Sequence, residues 1–214
     1  FRFHNDYIIQ AVDRFPKRLI GFGCFDPFQT GAEKEARRCL ENGLAGIGEL
    51  AFYQSELDAA AIARLEPIMA ICRERNLPLL IHTNEPVGHL YPGKTANTLA
   101  QLYALANRYP ANKLVFAHWG GGIFFFHLLK KEVRSVLRNV YFDTAASPFL
   151  YKPAVYSIAV QLAGVEKILF GSDFPLIGAA RYFREMDQAG ITPADKARIC
   201  GLNAAALLKF EPDV

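Results

Sequence analysis

Two histidines and one aspartate each stand where an apolar run of the chain comes to an end. His82 and His118 directly follow such runs, and Asp173 follows a third run through a short Gly-Ser turn. Pro175 then prevents that third run from pairing further as a strand. Imidazole nitrogens and carboxylate oxygens are the ligands that hold zinc and similar divalent ions in proteins. We therefore predict that these three side chains serve a divalent metal ion, with zinc as the expected metal.

Glu49 ends a further apolar run and is a candidate for the same metal site. A second interpretation stays open, because Gly48 beside it can simply mark close packing of the backbone. A single histidine at a strand end is also more often a hydrogen-bonded structural residue than a ligand. The combination of His82, His118 and Asp173 at three strand ends favours a functional role for these side chains over a purely structural one.

The loop at residues 83–93 is too long and too rich in polar and aromatic residues to be a simple connector. We predict that His89 and Lys94 contact a substrate there, and the alternative is a solvated loop. Asp143 also ends an apolar run, where it is expected either to act in the site or only to order the next loop. The run Phe124–Phe126 is either buried apolar surface or part of a homodimer contact.

Composition narrows the class of protein. The chain has 214 residues, 51% of them hydrophobic, which suits one domain over residues 1–214. The net charge is +3 and the basic residues are scattered, which argues against a nucleic acid partner. The four cysteines form no C-x-x-C pair, so we expect free thiols in a reducing cytoplasm. No apolar run approaches the roughly 20 residues that span a bilayer, so no membrane partner is expected.

Apolar runs alternate with segments of helical pattern along the whole chain, which predicts six strand and helix units in succession. Single helices between strands imply parallel pairing, either in a doubly wound sheet or in a barrel. Two features favour a TIM-type α/β barrel: chemistry-bearing residues end several different strands, and no G-x-G-x-x-G follows the first. The predicted strands lie at residues 18–27, 44–50, 79–82, 114–118, 139–145 and 167–173.

Four short motifs together resemble the amidohydrolase superfamily, specifically the amidohydrolase-2 group that includes metal-dependent decarboxylases. In that group the first strand carries a His-x-His or Glu-x-His pair, and nothing here supplies it, since His4 precedes an apparent helix. We therefore expect that the first two strands of the eight-stranded barrel either lie upstream of Phe1 or are missing, and that the chain by itself binds metal weakly or not at all. The motifs are Leu80-Ile-His82, Ala117-His118-Trp-Gly-Gly, Gly171-Ser-Asp173-Phe-Pro175 and Gly201-Leu-Asn-Ala204.

The resemblance implies roles for individual residues. His82 would be a metal ligand, His118 a ligand or a polariser of substrate and water, and Asp173 a ligand or a general base. Glu49 occupies the position where related enzymes place a bridging carboxylate or a modified lysine, and where single-metal members have no ligand. The implied activity is metal-dependent hydrolysis of a small carboxylated or cyclic substrate. Non-oxidative decarboxylation at the same site, with Lys94 or Arg181 holding the carboxylate, is the first alternative, and an inactive barrel that serves as a binding protein is the second.

Overall fold

Five parallel strands form the single sheet of the computed structural model, which describes residues 2–53 and 56–210. The strands pair in the order β1-β2-β3-β4-β5, so every strand lies beside its neighbour in sequence. A doubly wound sheet reverses its strand order at a switch point, whereas a barrel keeps it. The observed order is therefore that of a barrel, as predicted. The strands are β1 Ile47–Leu50, β2 Leu79–Ile81, β3 Leu114–Phe116, β4 Val140–Asp143 and β5 Ile168–Leu169.

The strand predicted at residues 18–27 is reduced to one point of pairing. Gly23 forms a parallel bridge to Ile47, with hydrogen bonds of 3.0 Å from its amide to Gly46 and 2.8 Å to its carbonyl from Gly48. A side chain at Gly21 or Gly23 would collide with neighbouring side chains, so the segment packs by close backbone approach rather than by a pleated strand. The described residues thus contain five regular strands and one bridge, where we predicted six strands.

Helices connect the strands and pack against the sheet. The segment between β1 and β2 contains two helices rather than one, because the first ends before Leu65 and a second begins at Glu66 with Pro67 in its first turn. Short 3-10 helices and one π-helix occupy His118–Leu128, Leu137–Asn139, Val165–Lys167 and Arg198–Leu202. The α-helices are α1 Arg2–Arg14, α2 Ala32–Glu41, α3 Ala59–Arg64, α4 Glu66–Arg75, α5 Leu99–Arg108, α6 Lys131–Val136, α7 Ser147–Leu150, α8 Val155–Ala163, α9 Ala179–Gln188, α10 Pro193–Ala197 and α11 Asn203–Leu208.

The two faces of the sheet carry separate apolar clusters, because successive side chains of a strand point to opposite faces. Ile81, Phe116 and Phe142 are fully buried in the large core that the sheet shares with the helices. Val115 and Leu169 lie in a small cluster on the other face, where Leu207 of α11 packs against them. None of the helices of the described residues is long and apolar enough to cross a bilayer.

A left-handed turn follows β3 and redirects the chain at the edge of the sheet. His118 has φ 54°, and residues 119 to 122 continue in the same region with φ between 61° and 97°. Glycine is the residue that adopts this region without steric strain. A Cβ at Gly121 would collide with the carbonyl oxygen of Asn84 in the loop after β2. The glycine triplet therefore allows the turn after His118 to pack tightly on the neighbouring loop.

Candidate metal centre

Three neighbouring strands bring Glu49, His82 and His118 together. Glu49 belongs to β1, and the histidines follow β2 and β3. Oε1 of Glu49 lies 2.6 Å from Nδ1 of His82 and 3.6 Å from Nε2 of His118, and the two imidazole centroids are 5.1 Å apart. One ligand atom from each residue falls within 4.8 Å of the others. The ends of these three strands thus bring Glu49, His82 and His118 into one cluster.

Hydrogen bonds fix the orientation of His118. Its Nδ1 lies 3.0 Å from the carbonyl oxygen of Ala145, so Nδ1 donates to that oxygen and Nε2 is the ring atom that faces Glu49. The backbone amide of His118 donates to Oδ1 of Asp143 over 2.8 Å, and the same oxygen accepts from the amide of Ala145 over 3.0 Å. Asp143 therefore orders the next loop, as expected, and also holds the backbone of His118.

The cluster is electrostatically coupled. Burial raises the pKa of Glu49, but hydrogen bonds from His118 and His82 outweigh it and lower the pKa to about 2. Burial lowers the pKa of His118, but the Glu49 contact and the charge of Asp143 outweigh it and raise the pKa to about 9. Burial raises the pKa of Asp143 to about 6. An anionic carboxylate thus faces two imidazoles, and a divalent cation can replace the proton of His118.

His82 provides a direct test of whether a metal fits this cluster. Its Nδ1 contacts Glu49, while its Nε2 is buried and has no hydrogen-bond partner among the described residues. A buried polar atom without a partner is unfavourable and calls for an explanation. Two imidazoles and one carboxylate are donors that suit zinc, manganese and similar divalent ions. The residues present therefore fit a divalent metal ion, with Nε2 of His82 as a free donor.

Asp173 stands beside this cluster rather than in it. A cavity of about 640 Å³ is lined by Glu49, His82, His118 and Asp173, so the predicted residues share one space. Asp173 is not among the three residues whose ligand atoms group together. Its φ of 54° places it in a left-handed turn after β5. A carboxyl group in this position can act on a molecule that is bound in the cavity.

The two residues predicted to bind substrate have different positions. His89 lines the cavity. Lys94 does not: its Nζ donates to Oε1 of Glu85 over 2.8 Å and to the carbonyl of Val87 over 2.9 Å, inside its own loop. Arg181 donates to the carbonyl of Pro148 instead. Among the described residues that line the cavity there is no lysine or arginine.

Aromatic residues that the sequence analysis did not single out complete the wall of the cavity. They are Tyr53, Tyr91 and Phe149. The ring of Tyr53 lies 6.0 Å from that of His82, and the Tyr91 hydroxyl donates to Oε2 of Glu85 over 2.8 Å. Tyr53 follows Glu49 just beyond a strand end, which is a position where such a residue can be sought in a sequence.

The family of this protein follows from a comparison that covers nearly the whole chain. A family model described as amidohydrolase matches residues 1–210. The chain belongs to the amidohydrolase family. The resemblance stated from four short motifs is thereby confirmed, and the cluster of Glu49, His82 and His118 is the candidate metal centre of this amidohydrolase.

Several decarboxylases are similar to this amidohydrolase. The gamma-resorcylate decarboxylase of Rhodococcus jostii (strain RHA1) is 24% identical over 251 residues, which cover 97% of this chain and 75% of the relative. The 2-amino-3-carboxymuconate-6-semialdehyde decarboxylase of Dictyostelium discoideum is 29% identical over 250 residues, covering 98% of this chain and 66% of the relative. The chain thus spans about two thirds to three quarters of the length of these relatives.

A solved structure supports the fold. The dihydroxybenzoic acid decarboxylase of Polaromonas sp. JS666, with bound manganese and the inhibitor 2-nitroresorcinol, superposes with a TM-score of 0.73. The two chains are 21% identical, and the match covers 97% of this chain and 74% of that chain. At this identity the likeness concerns the fold, and it confirms the predicted α/β barrel.

Proposed function

We propose that this amidohydrolase is a metal-dependent decarboxylase of a small carboxylated substrate. The observation that carries the proposal is the cluster of Glu49, His82 and His118 in the wall of a cavity that Asp173 also lines. The similar proteins reported above are decarboxylases by name. Hydrolysis, the activity favoured from the sequence alone, becomes the second candidate.

The donors that would hold the metal are the carboxylate of Glu49 and the Nε2 atoms of His82 and His118. When bound, a divalent ion supplies positive charge for the substrate's oxygen atoms. Zinc was expected from the donor types, while manganese is present in the similar Polaromonas protein. Both metals accept imidazole and carboxylate ligands, so the proposal is a divalent ion that one of these two can provide.

We propose that Asp173 supplies the proton that the substrate carbon accepts in the reaction. In a decarboxylation the bond between the carboxyl group and its carbon breaks, the electron pair stays on that carbon, and carbon dioxide leaves. The carbon must then accept a proton, and the carboxyl group of Asp173, which lines the cavity, would deliver it. A carboxyl group that acts as acid in one step recovers its proton in another, so Asp173 fits a role as general acid and base.

The walls of the cavity suit a planar, unsaturated substrate. The rings of Tyr53, Tyr91 and Phe149 offer apolar faces, against which such a substrate can stack while water is excluded. No lysine or arginine of the described residues lines the cavity. The metal centre, rather than Lys94 or Arg181, would therefore balance the negative charge of the substrate's carboxylate. Residues 83–93, including His89, would close over the substrate.

The proposal is tested with purified protein that has been stripped of metal and reloaded with Mn²⁺ or Zn²⁺. Carbon dioxide release is measured from gamma-resorcylate and related aromatic acids, beside hydrolysis of amides and lactones. We expect metal-dependent carbon dioxide release that falls by about 100-fold or more in Asp173→Asn. The control is Asp13→Asn, which changes an exposed aspartate of α1.

Two results would decide against decarboxylation. Hydrolysis of an amide or lactone without carbon dioxide release would make the protein a hydrolase. Tight binding of an aromatic acid, with metal bound and without any turnover, would favour the binding protein that the sequence analysis kept as a second alternative.

A further inference from the structure

We propose that the hydroxyl group of Tyr182 is a positioning group for the site, because it links the imidazole of His118 to the backbone of Asp173. The inference deepens the proposed function, on which its kinetic readout rests. The hydrogen bonds of the Tyr182 hydroxyl do not depend on which reaction the site carries out.

A continuous row of hydrogen bonds connects the two residues. Nδ1 of His118 donates to the carbonyl of Ala145 over 3.0 Å, and the amide of the same peptide unit, that of Ala146, donates to the Tyr182 hydroxyl over 3.1 Å. The hydroxyl then donates to the carbonyl of Ser172 over 2.7 Å. The peptide unit of that carbonyl also contains the amide of Asp173. All three hydrogen bonds run in the same direction, so each polarises the next.

The backbone at both ends of the hydroxyl is in an unfavourable conformation. Ala146 has φ 55° and Asp173 has φ 54°, and residues other than glycine occupy this region only when the surroundings hold them there. The Tyr182 hydroxyl contacts the amide of the first and the peptide unit of the second. Removing the hydroxyl should therefore release both turns, and with them the direction of the Asp173 side chain.

The hydroxyl group of Thr144 limits the release of the two turns to the parts that lie farther from the strands. Oγ1 of Thr144 accepts from the amide of Gly171 over 3.0 Å and donates to its carbonyl over 2.9 Å. The two loops thus remain joined near the strands when Tyr182 loses its hydroxyl. The ring of Tyr182 is fully buried and packs against Phe170 at 5.5 Å, and a phenylalanine keeps that packing. The expected change is one of position rather than of folding.

The experiment compares Tyr182→Phe with Tyr156→Phe in the full chain. Tyr156 is also fully buried, and its hydroxyl has no hydrogen-bond partner among the described residues, so it is a matched control. The first readout is the exchange rate of the Ala146 amide with solvent deuterium. The second is the pair kcat and KM for carbon dioxide release, with bound metal measured in every sample.

In Tyr182→Phe we expect the Ala146 amide to exchange about ten times faster or more, because its acceptor is gone. We expect kcat to fall by about 10- to 100-fold, with KM and metal content nearly unchanged, since the proton-carrying group is displaced while the metal ligands stay. Tyr156→Phe should match the original protein in every readout.

Three results would overturn the proposal: unchanged exchange at Ala146, an unchanged kcat, or an equal loss of activity in Tyr156→Phe. If Tyr182→Phe does not fold, the unsubstituted protein still provides a test, because an unprotected Ala146 amide contradicts the hydrogen bond. If no substrate is turned over by any variant, the proposed decarboxylation fails, and amide exchange alone then decides whether the Tyr182 link exists.

Discussion

Oε1 of Glu49 lies 2.6 Å from Nδ1 of His82, and Nε2 of the same imidazole is buried without a hydrogen-bond partner among the described residues. The carboxylate thus fixes one nitrogen of the ring and leaves the other as a donor. Carboxylates that hold the second nitrogen of a ligating histidine orient the ring and raise its affinity for metal. Glu49 can act in this way or bind the metal directly, and in both cases its negative charge strengthens metal binding.

Replacement of Glu49 by glutamine tests this charge. We expect Glu49→Gln to bind Mn²⁺ about 10- to 100-fold more weakly, because the amide keeps the shape of the side chain but not its charge. Titration calorimetry on metal-stripped protein measures the affinity. Glu132→Gln, at an exposed position of α6, is the control. Unchanged affinity in Glu49→Gln would place the metal elsewhere.

The ion pair between Lys94 and Glu85 holds the loop at residues 83–93 together. Lys94 Nζ lies 2.8 Å from Glu85 Oε1, and its side chain is only 9% exposed. We expect Lys94→Gln and Glu85→Gln each to raise KM by a similar factor, and the double variant to be no worse than either, because one interaction is lost in all three. Limited proteolysis of the loop should be faster in all three variants than in the original protein. This measurement does not depend on activity.

This comparison also tests the earlier prediction that Lys94 contacts substrate. A direct contact would make Lys94→Gln clearly worse than Glu85→Gln, and would leave the loop as resistant to protease as before. Lys131→Gln, at an exposed position of α6, is the control for the loss of one positive charge.

Gly121 is predicted to be the least replaceable glycine of the turn after β3. An alanine there would combine a φ of 61° with a collision against the carbonyl of Asn84, so we expect Gly121→Ala to lower the free energy of unfolding by about 3 kcal/mol or more. At Gly122, with φ 97°, a Cβ would meet only the Tyr151 hydroxyl at 3.9 Å, and we expect a loss of about 1–2 kcal/mol from backbone strain. Urea denaturation of both variants measures the difference, and equal losses would contradict the collision.

The partly buried network around Glu35 should make the stability of the fold depend on pH. A hydrogen bond from Arg38, and a further one from Asn5, hold the pKa of Glu35 at about 2, against its ordinary value of 4.5. Ionised Glu35 therefore stabilises the folded protein fully above about pH 4.5, and this stabilisation is lost as the pH falls toward 2. We expect Glu35→Gln to lower Tm by roughly 2–6 °C at pH 7, and this difference to vanish near pH 2.

The matched control for that measurement lies in the same helix. Glu33 pairs with Arg37 at an exposed position, with side chains 52% and 46% exposed, and such surface pairs contribute little to stability. Glu33→Gln should leave Tm nearly unchanged at every pH. A Tm difference for Glu35→Gln that persists at pH 2 would show that the effect is steric rather than electrostatic.

The amino-acid sequence by itself predicted the barrel and the family, and it pointed to the segments that line the candidate site. Apolar runs with a titratable residue at their ends are a local property, and in parallel strands these ends must meet at one edge of the sheet. For that reason His82, His118 and Asp173 could be assigned to one cavity in advance, with Glu49 as an open case. The family resemblance rested on the order of the same short motifs.

Only the tertiary structure decided how these groups share the site. It grouped Glu49 with the two histidines, placed Asp173 in the same cavity but outside that group, and paired Lys94 with Glu85 inside its own loop. It also reduced the strand predicted at residues 18–27 to one bridge at Gly23. These outcomes depend on hydrogen bonds and close contacts between segments that are distant in the chain, and periodicity within one segment carries no information about them.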